Sequence, residues 1–122
     1  MGLHIGWLSI DAHDVEKLAR FWEQVLDAKR IYEDEDDENE VVIQTPAGWK
    51  ILIYKVPDDK IIKNRLHLDL VPDDQEAEIA RVKALGATDA DIGQTGEESW
   101  VVLADPEGNE FCILRAGADT DG

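Results

Sequence analysis

The chain repeats itself at an offset of 60 residues. Residues 45–53 and 105–113 each place a proline and a glycine in a short turn and then continue into β-forming residues. The same offset aligns further positions along the chain: Leu8 with Leu68, Asp14 with Asp74, Val41 with Val101, Val42 with Val102, and Ile53 with Ile113. A register that is kept over this length predicts two copies of one supersecondary unit.

Each copy reads β-α-β-β-β. Apolar residues at helical spacing, with aspartates available as N-caps, predict helices near residues 14–27 and 74–85. Asp11 or Asp14 could cap the first helix and Asp73 or Asp74 the second, which Gly86 would end. Strands are predicted at residues 3–11, 30–33, 41–44 and 50–56 in the first copy, and at 65–70, 90–92, 100–103 and 110–114 in the second. Residues 34–40 are predicted to form a hairpin turn, and residues 116–122 a frayed tail.

These elements predict an α+β fold in a single domain over residues 1–122. Two tandem βαβββ modules, at about residues 3–57 and 65–116, would form a cupped mixed sheet with the helices on its outer face. One helix per module cannot cover both faces of four strands, so the other face would form a groove. Leu8, Ile10, Phe111, Ile113 and the leucines of residues 65–70 are expected to face the helices.

Strand alternation then selects the side chains that face the groove. The predicted set is Trp7, Ser9, Leu52, Tyr54, Arg65, His67, Asp69, Trp100, Glu110 and Cys112. Aromatic and aliphatic members would contact an apolar ligand, and charged members would fix its orientation. His67 is the candidate acid/base group, because the pKa of an ordinary imidazole lies near neutrality.

Charge and cysteine content restrict the partners and the compartment. Lys and Arg number 12 against 28 Asp and Glu, for a net charge of −16, so nucleic acid and anionic membranes are not expected partners. One cysteine permits no internal disulfide, and no signal peptide or membrane span is evident. The sequence therefore predicts a cytoplasmic protein, whose acidity would suit a high-salt cytoplasm.

The same charge imbalance predicts a salt-dependent fold. Mutual repulsion among the acidic groups opposes the compact state, and dissolved salt screens that repulsion. We expect the melting temperature to rise between dilute buffer and molar potassium chloride, as measured by differential scanning fluorimetry. A flat or falling melting temperature would contradict this expectation.

Three segments resemble the vicinal oxygen chelate superfamily, which contains glyoxalase I, extradiol dioxygenases and bleomycin-resistance proteins. Residues 14–26 read Asp-Val-Glu-Lys-Leu-Ala-Arg-Phe-Trp-Glu-Gln-Val-Leu, similar to a characteristic helix of that group, with Asp27 in place of its glycine. Residues 105–109 read Asp-Pro-Glu-Gly-Asn, and residues 65–70 are similar to the opening of a second module in its glyoxalase-like branch. The resemblance implies the paired-module fold and pairing of two copies into a homodimer.

Enzymes of that superfamily bind a divalent metal through four groove positions, which correspond here to Trp7, Leu52, His67 and Cys112. Only His67 and Cys112 can ligate a metal, and Glu110 lies two residues too early in its strand. With Asp69 they would make three zinc ligands, but the two apolar side chains lead us to expect neither a cofactor nor a divalent metal. Chelators would then leave the protein unchanged.

Three functions are consistent with these residues. The first is metal-free binding of a small apolar or aromatic molecule in the groove, as in resistance proteins of this fold. The second is a metal-independent isomerase, lyase or hydratase that uses His67 as acid and base. The third is a structural or interaction module in which the protein's own side chains close the groove.

Overall fold

The computed structural model describes residues 2–34, 39–90 and 99–120. The chain divides into two compact units, Met1–Asp59 and Lys60–Gly122. The first unit contains β1 (Leu8–Ala12), α1 (Val15–Leu26), β2 (Lys29–Glu33), β3 (Glu40–Gln44) and β4 (Lys50–Lys55). The second contains β5 (Asp69–Leu70), α2 (Gln75–Leu85), β6 (Thr88–Asp89), β7 (Val101–Ala104), β8 (Glu110–Ile113) and a short 3-10 helix, Ala118–Thr120.

Each unit has one four-stranded mixed sheet, and the two sheets share one topology. The strand orders are β1-β4-β3-β2 and β5-β8-β7-β6. In each sheet the first strand pairs in parallel with the last, Ser9 opposite Leu52 and Asp69 opposite Cys112, and both pairs differ by the 60-residue offset. The α+β class and the two-module architecture are therefore confirmed.

The two helices begin in the same way. The amide of Lys17 donates to Asp14 Oδ1 over 3.1 Å, and the amide of Ala77 donates to Asp74 Oδ1 over 3.1 Å. Each carboxylate thus satisfies an amide that the first helical turn leaves without a partner, and Asp14 and Asp74 are the N-caps.

Each helix is followed by a residue with a positive backbone φ. Asp27 follows α1 with a φ of 51°, in the left-handed region, which explains why the family-like pattern has a glycine there. Aspartate is one of the few other residues that adopt this conformation readily. Gly86, with a φ of 127°, ends α2 as predicted.

The core of the first unit lies between α1 and one face of its sheet. Leu18 and Trp22 of α1 and Ile43, Ile51 and Ile53 of the sheet are each no more than 2% exposed. Side chains of opposite parity on the same strands are more accessible: Ser9, Asp11, Leu52 and Tyr54. Alternation therefore leaves one face of this sheet accessible and packs the other on the helix.

Both units build the turn before their last strand with the same hydrogen bonds. The amide of Gly48 donates to Thr45 O over 2.9 Å, and the amide of Gly108 donates to Asp105 O over 2.8 Å. Both glycines have positive φ, 98° and 89°. A side chain completes each turn, since Trp49 N donates to Thr45 Oγ1 over 3.0 Å and Asn109 N donates to Asp105 Oδ1 over the same distance.

Asp105 makes more of these bonds than its counterpart. The amides of Glu107 and Asn109 both donate to Oδ1, and the Asn109 side-chain amide donates to Oδ2 over 3.1 Å. The Asp105 residue is only 2% exposed. A buried carboxylate is stable here because each oxygen accepts at least one hydrogen bond.

Arg30 of β2 joins three glutamates. Its guanidinium donates to both carboxylate oxygens of Glu16 over 2.8 and 2.9 Å, to Glu23 over 2.6 Å and to Glu33 over 3.1 Å. The two hydrogen bonds to Glu16 are the bidentate arrangement that gives arginine–carboxylate pairs their strength. The hydrogen bond from Arg30 holds the pKa of Glu16 below its usual value, despite an opposing effect of burial. Ala90 occupies the equivalent position in the second unit, so this cluster belongs to the first unit alone.

The predicted first strands of both modules are too long. Residues 3–7 and 65–68 are not strand, and Leu66 is 90% exposed rather than in the core. Leu8 is also 36% exposed, whereas Leu68 and Leu70 are half-buried. Pairing with a neighbouring strand begins only at Leu8, opposite Ile51, and at Asp69, opposite Cys112. An alternation of apolar and polar residues does not form a strand where no neighbouring strand supplies hydrogen bonds.

Two other predictions differ in part from the structure, and a third falls mostly outside the described residues. β6 is Thr88–Asp89, before the predicted residues 90–92, and most of that prediction and the following turn lie in residues 91–98, outside those described. The predicted hairpin turn falls mostly in residues 35–38, which are also outside them. The tail was expected to fray, but Ala118–Thr120 forms a 3-10 turn.

No helix among the described residues has the length and apolar character needed to cross a membrane.

Candidate functional site

The second unit brings three metal-ligating or acid/base side chains together where β5 meets β8. Asp69 lies directly opposite Cys112 in the parallel ladder, and the Cys112 amide donates to Leu68 O over 2.9 Å. His67 precedes Asp69 by two residues, which returns its side chain to the same side of an extended chain. One donor atom from each of His67, Asp69 and Cys112 lies within 4.8 Å of the other two. We call this group the His–Asp–Cys cluster.

His67 and Asp69 are bonded to each other and remain accessible. His67 Nδ1 lies 2.8 Å from Asp69 Oδ1, and the two side chains are 35% and 46% exposed. A carboxylate that bonds one ring nitrogen fixes the orientation of the imidazole and leaves the second nitrogen for another partner. The pair therefore presents an oriented imidazole to the solvent.

Cys112 is the buried member of the cluster, with 7% of its surface exposed. Burial, together with the nearby charge of Asp69 and a hydrogen bond to it, raises the pKa of the Cys112 thiol to about 11. The thiol therefore carries its proton at neutral pH, and Cys112 is not an activated nucleophile. A nucleophilic cysteine mechanism does not suit this arrangement.

Glu110 lies two residues before Cys112 and fastens the segment that leads into β5. It accepts hydrogen bonds from Lys60 Nζ and from the Asn64 amide, both over 2.9 Å. Burial alone would raise the pKa of Glu110, but these hydrogen bonds hold it below its usual value. Glu110 is thus a charged anchor for residues 60–64 rather than a free groove carboxylate.

Lys60 and Asn64 were not predicted as site residues, because they lie between the two predicted modules, at about residues 3–57 and 65–116. Fifty positions separate Lys60 from Glu110, and Lys60 belongs to no recognisable sequence pattern. The contact joins the segment before β5 to the first residue of β8, which is visible only in the tertiary structure.

The other predicted groove residues are distributed over both units. In the second unit Arg65 is exposed and Trp100, just before β7, is 44% exposed. In the first unit Trp7 is 53% and Tyr54 45% exposed, Ser9 is exposed and Leu52 is half-buried. His67, Asp69 and Cys112 lie together within the second unit, and a single pocket containing all ten residues stays a prediction.

The first unit has the backbone of the cluster without its donors. By the 60-residue offset Trp7, Ser9 and Leu52 correspond to His67, Asp69 and Cys112, and the matching ladder registers show the equivalence of the last two. Tryptophan and leucine offer no lone pair to a metal, and a serine hydroxyl is a poor substitute for a carboxylate. The two modules therefore carry side chains of different chemistry at these three equivalent positions.

A model of the glyoxalase-like domain matches residues 7–114, which is most of the chain and includes both modules. The chain belongs to the glyoxalase-like domain family. Together with its structural relatives this membership places it in the vicinal oxygen chelate superfamily, as its sequence motifs predicted. No curated protein matches this glyoxalase-like chain in sequence.

Solved structures share the fold at low sequence identity. The fosfomycin resistance protein FosX from Listeria monocytogenes is 19% identical over 98% of this chain and 97% of that one, with a TM-score of 0.72. A structure of a mutant of that protein contains Mn(II) and 1S,2S-dihydroxypropylphosphonic acid. A glyoxalase/bleomycin resistance protein/dioxygenase family enzyme from Burkholderia phytofirmans is 22% identical, with 90% and 96% coverage and a TM-score of 0.67.

The His–Asp–Cys cluster does not support the expectation that this glyoxalase-like protein lacks a metal. An imidazole, a carboxylate and a thiol, all of which bind metals in proteins, lie together in the second module. The expectation was based on Trp7 and Leu52, the apolar residues at equivalent positions of the first module. The superfamily includes enzymes, and the homodimer and the cytoplasmic location stay predictions.

Proposed function

We propose that this glyoxalase-like protein binds a small apolar or aromatic molecule and orients it through His67. The observation that carries the proposal is the accessible imidazole, whose Nδ1 lies 2.8 Å from the Asp69 carboxylate. The Asp69 bond fixes the ring before a ligand arrives, so that little side-chain freedom is lost on binding. The remaining ring nitrogen can then bond a polar atom of the ligand.

An apolar contact surface accompanies this polar anchor. Trp100 is 44% exposed and precedes β7, the strand in which Val102 pairs with Cys112. Alternation gives Trp100 the parity of Val102, which assigns it to the same sheet face as the cluster. Exposed tryptophan on a binding face is suited to planar or aliphatic ligands. Arg65 would supply a cationic contact for an acidic ligand.

The manganese of the FosX structures does not fit the residues of this chain. Manganese prefers oxygen and imidazole ligands, whereas Cys112 offers a buried thiol whose pKa is about 11. The first-module equivalents Trp7 and Leu52 offer no ligand atom. We therefore assign this protein no reaction step that passes through manganese.

The binding proposal can be tested by thermal shift followed by calorimetry. Fosfomycin, bleomycin and a set of small aromatic acids and phenols would be screened in molar potassium chloride with EDTA, which removes any metal contribution. A ligand that binds only the folded protein raises the melting temperature. For a confirmed ligand, His67→Ala should raise Kd about tenfold, which corresponds to one lost hydrogen bond of about 1.4 kcal/mol.

His4→Ala is the matched control, because His4 is also an exposed histidine but belongs to the other unit. It should leave Kd unchanged. The proposal fails if His67→Ala binds a confirmed ligand as tightly as the wild-type protein, or if no compound in the screen raises the melting temperature.

Metal-independent acid–base catalysis is the second candidate. It is favoured by the same His67–Asp69 contact, since a carboxylate that orients imidazole is a frequent arrangement in general acid–base catalysis. Under this alternative His67→Ala abolishes turnover of a bound compound, whereas under the binding proposal no turnover occurs. Product analysis by mass spectrometry after incubation with the confirmed ligand separates the two.

A further inference from the structure

We infer that Gln75 is a positioning residue for Trp100, because its side-chain amide holds the peptide unit that leads into this tryptophan. The inference rests on the proposed function, in which Trp100 supplies the apolar contact to the ligand. It identifies the group that fixes this contact in place. All the contacts involved lie within the second unit.

Gln75 is the first residue of α2, and its side chain joins the ends of two strands. Its Nε2 atom donates to Ser99 O over 2.9 Å and to Ile113 O over 3.1 Å. Ser99 lies two residues before β7, and Ile113 is the last residue of β8. An amide nitrogen carries two hydrogens, and both have an acceptor in this arrangement. One side chain therefore ties the helix, the segment before β7 and the end of β8 together.

The Ser99 carbonyl belongs to the peptide unit that joins Ser99 to Trp100. Because a peptide unit is planar, a hydrogen bond to this carbonyl restrains the orientation of the plane from which Trp100 begins. Trp100 is 44% exposed, so packing restrains its indole less than it would restrain a buried ring. The bond from Gln75 is therefore an important restraint on where the indole lies.

Strand pairing begins later in β7 than in its counterpart β3. β3 pairs with β4 from Glu40, opposite Tyr54, whereas β7 pairs with β8 from Val101, opposite Ile113. Trp100 is the counterpart of Glu40 at the 60-residue offset and lies just before β7. Its position therefore depends on how the segment before β7 is held.

The first module holds the equivalent segment in another way. Asn39, the counterpart of Ser99, accepts a hydrogen bond at its carbonyl from the Lys55 amide over 2.8 Å. Val15, the counterpart of Gln75, is 4% exposed and has no donor in its side chain. The helix start of this fold therefore does not require a glutamine. The glutamine of the second module is found where the following segment carries an exposed tryptophan.

Fluorine NMR of the full chain labelled with fluorotryptophan tests the positioning without a ligand. The chain has four tryptophans, and Trp100→Phe assigns the resonance of Trp100. Gln75→Met keeps the length of the side chain and removes both donors, so it should shift or broaden this resonance. The resonance of Trp22, which is 1% exposed, should stay in place and shows that the variant is folded. Gln75→Lys retains a donor and should bring the Trp100 resonance back towards its wild-type position.

Binding is then measured by calorimetry, with phenol and benzoate as the probes. For a probe that binds the wild type, Gln75→Met should raise Kd about fivefold, because an indole that is less restrained loses more freedom on binding. Trp100→Ala should also raise Kd. Gln75→Met should add no further loss when it is combined with Trp100→Ala, because Gln75 acts through Trp100.

Gln44→Met is the matched control. Gln44 Nε2 also donates to a backbone carbonyl, that of Gly48, but it lies in the first unit. This variant should leave both the Trp100 resonance and Kd unchanged.

The inference is overturned if the Trp100 resonance of folded Gln75→Met coincides with that of the wild type. Additive effects of Gln75→Met and Trp100→Ala on Kd would overturn it equally, since independent sites add. Failure of the proposed function appears instead as the absence of binding to the wild-type chain. The fluorine comparison needs no ligand, so the two failures are distinguishable.

Discussion

Replacing Asp105 with alanine should lower the free energy of unfolding by about 3 kcal/mol. The buried carboxylate accepts hydrogen bonds from the Glu107 amide, the Asn109 amide and the Asn109 side chain. Hydrogen bonds to a charged group are worth about 1.5–3 kcal/mol each, and truncation also leaves partly buried amides without an acceptor. Urea denaturation followed by tryptophan fluorescence measures the change.

The duplication supplies the matched control for this prediction. Thr45 occupies the equivalent position of the first turn and accepts one bond, from the Trp49 amide over 3.0 Å. Thr45→Ala should cost about 1 kcal/mol, the ordinary value for one neutral hydrogen bond. Asp105→Thr should fall between the two alanine variants because it retains one acceptor. Equal losses for Thr45→Ala and Asp105→Ala would show that burial and charge at Asp105 contribute nothing.

Arg30→Met should destabilise the protein by about 2 kcal/mol. Methionine keeps much of the aliphatic stem, but Glu16, Glu23 and Glu33 lose their shared cation and repel one another. Losing one partner of a fully buried pair costs about 3–5 kcal/mol, and the 19% exposure of Arg30 reduces that figure. Chemical denaturation at neutral pH measures the loss.

Arg20→Met is the control, because Arg20 also bonds Glu16 but is 71% exposed. An exposed pair of this helical spacing contributes about 0.3–0.5 kcal/mol, so the variant should remain close to the wild type. If the two arginine variants lost the same stability, the cluster around Arg30 would be no stronger than an ordinary surface pair.

The effect of Arg30 should also depend on pH. Arg30 lowers the pKa of Glu16 in the folded protein below its ordinary value of 4.5. Glu16 therefore binds its proton less tightly in the folded protein than in the unfolded chain. The resulting stability is present above pH 4.5 and is lost as the pH falls through the lowered pKa. The difference between wild type and Arg30→Met should therefore shrink below pH 4.5, as measured by denaturation between pH 7 and pH 3. A difference that stays constant over this range would contradict the assignment.

The fold was predictable because its signals are local and duplicated. Asp14 and Asp74 cap the two helices and are 60 residues apart, as are the turn glycines Gly48 and Gly108. Each cap and each turn follows from a few neighbouring residues. The extents of the first strands were not predictable in the same way. Alternation at residues 65–70 predicted six strand residues, but ladder pairing with β8 extends only over Asp69 and Leu70.

The candidate site could be predicted only in part. Strand alternation indicated that His67, Asp69 and Cys112 share a face. It contained no information on the burial of Cys112 or on the nearby Asp69 carboxylate, which together raise the pKa of the Cys112 thiol. The Lys60–Glu110 contact depends on a separation of 50 residues and on the path of the chain before β5. Such contacts arise from tertiary structure, which periodicity does not encode.

The parallel pairing within each sheet has a consequence for the order of folding. Leu8 pairs with Ile51 and Asp69 with Cys112, so both pairs join residues 43 positions apart. The antiparallel β3–β4 and β7–β8 hairpins close over short turns and lose far less chain entropy. Each hairpin should therefore form before its parallel partner strand docks, and β1 and β5 should be the last strands of their modules to acquire protection from amide hydrogen exchange during refolding.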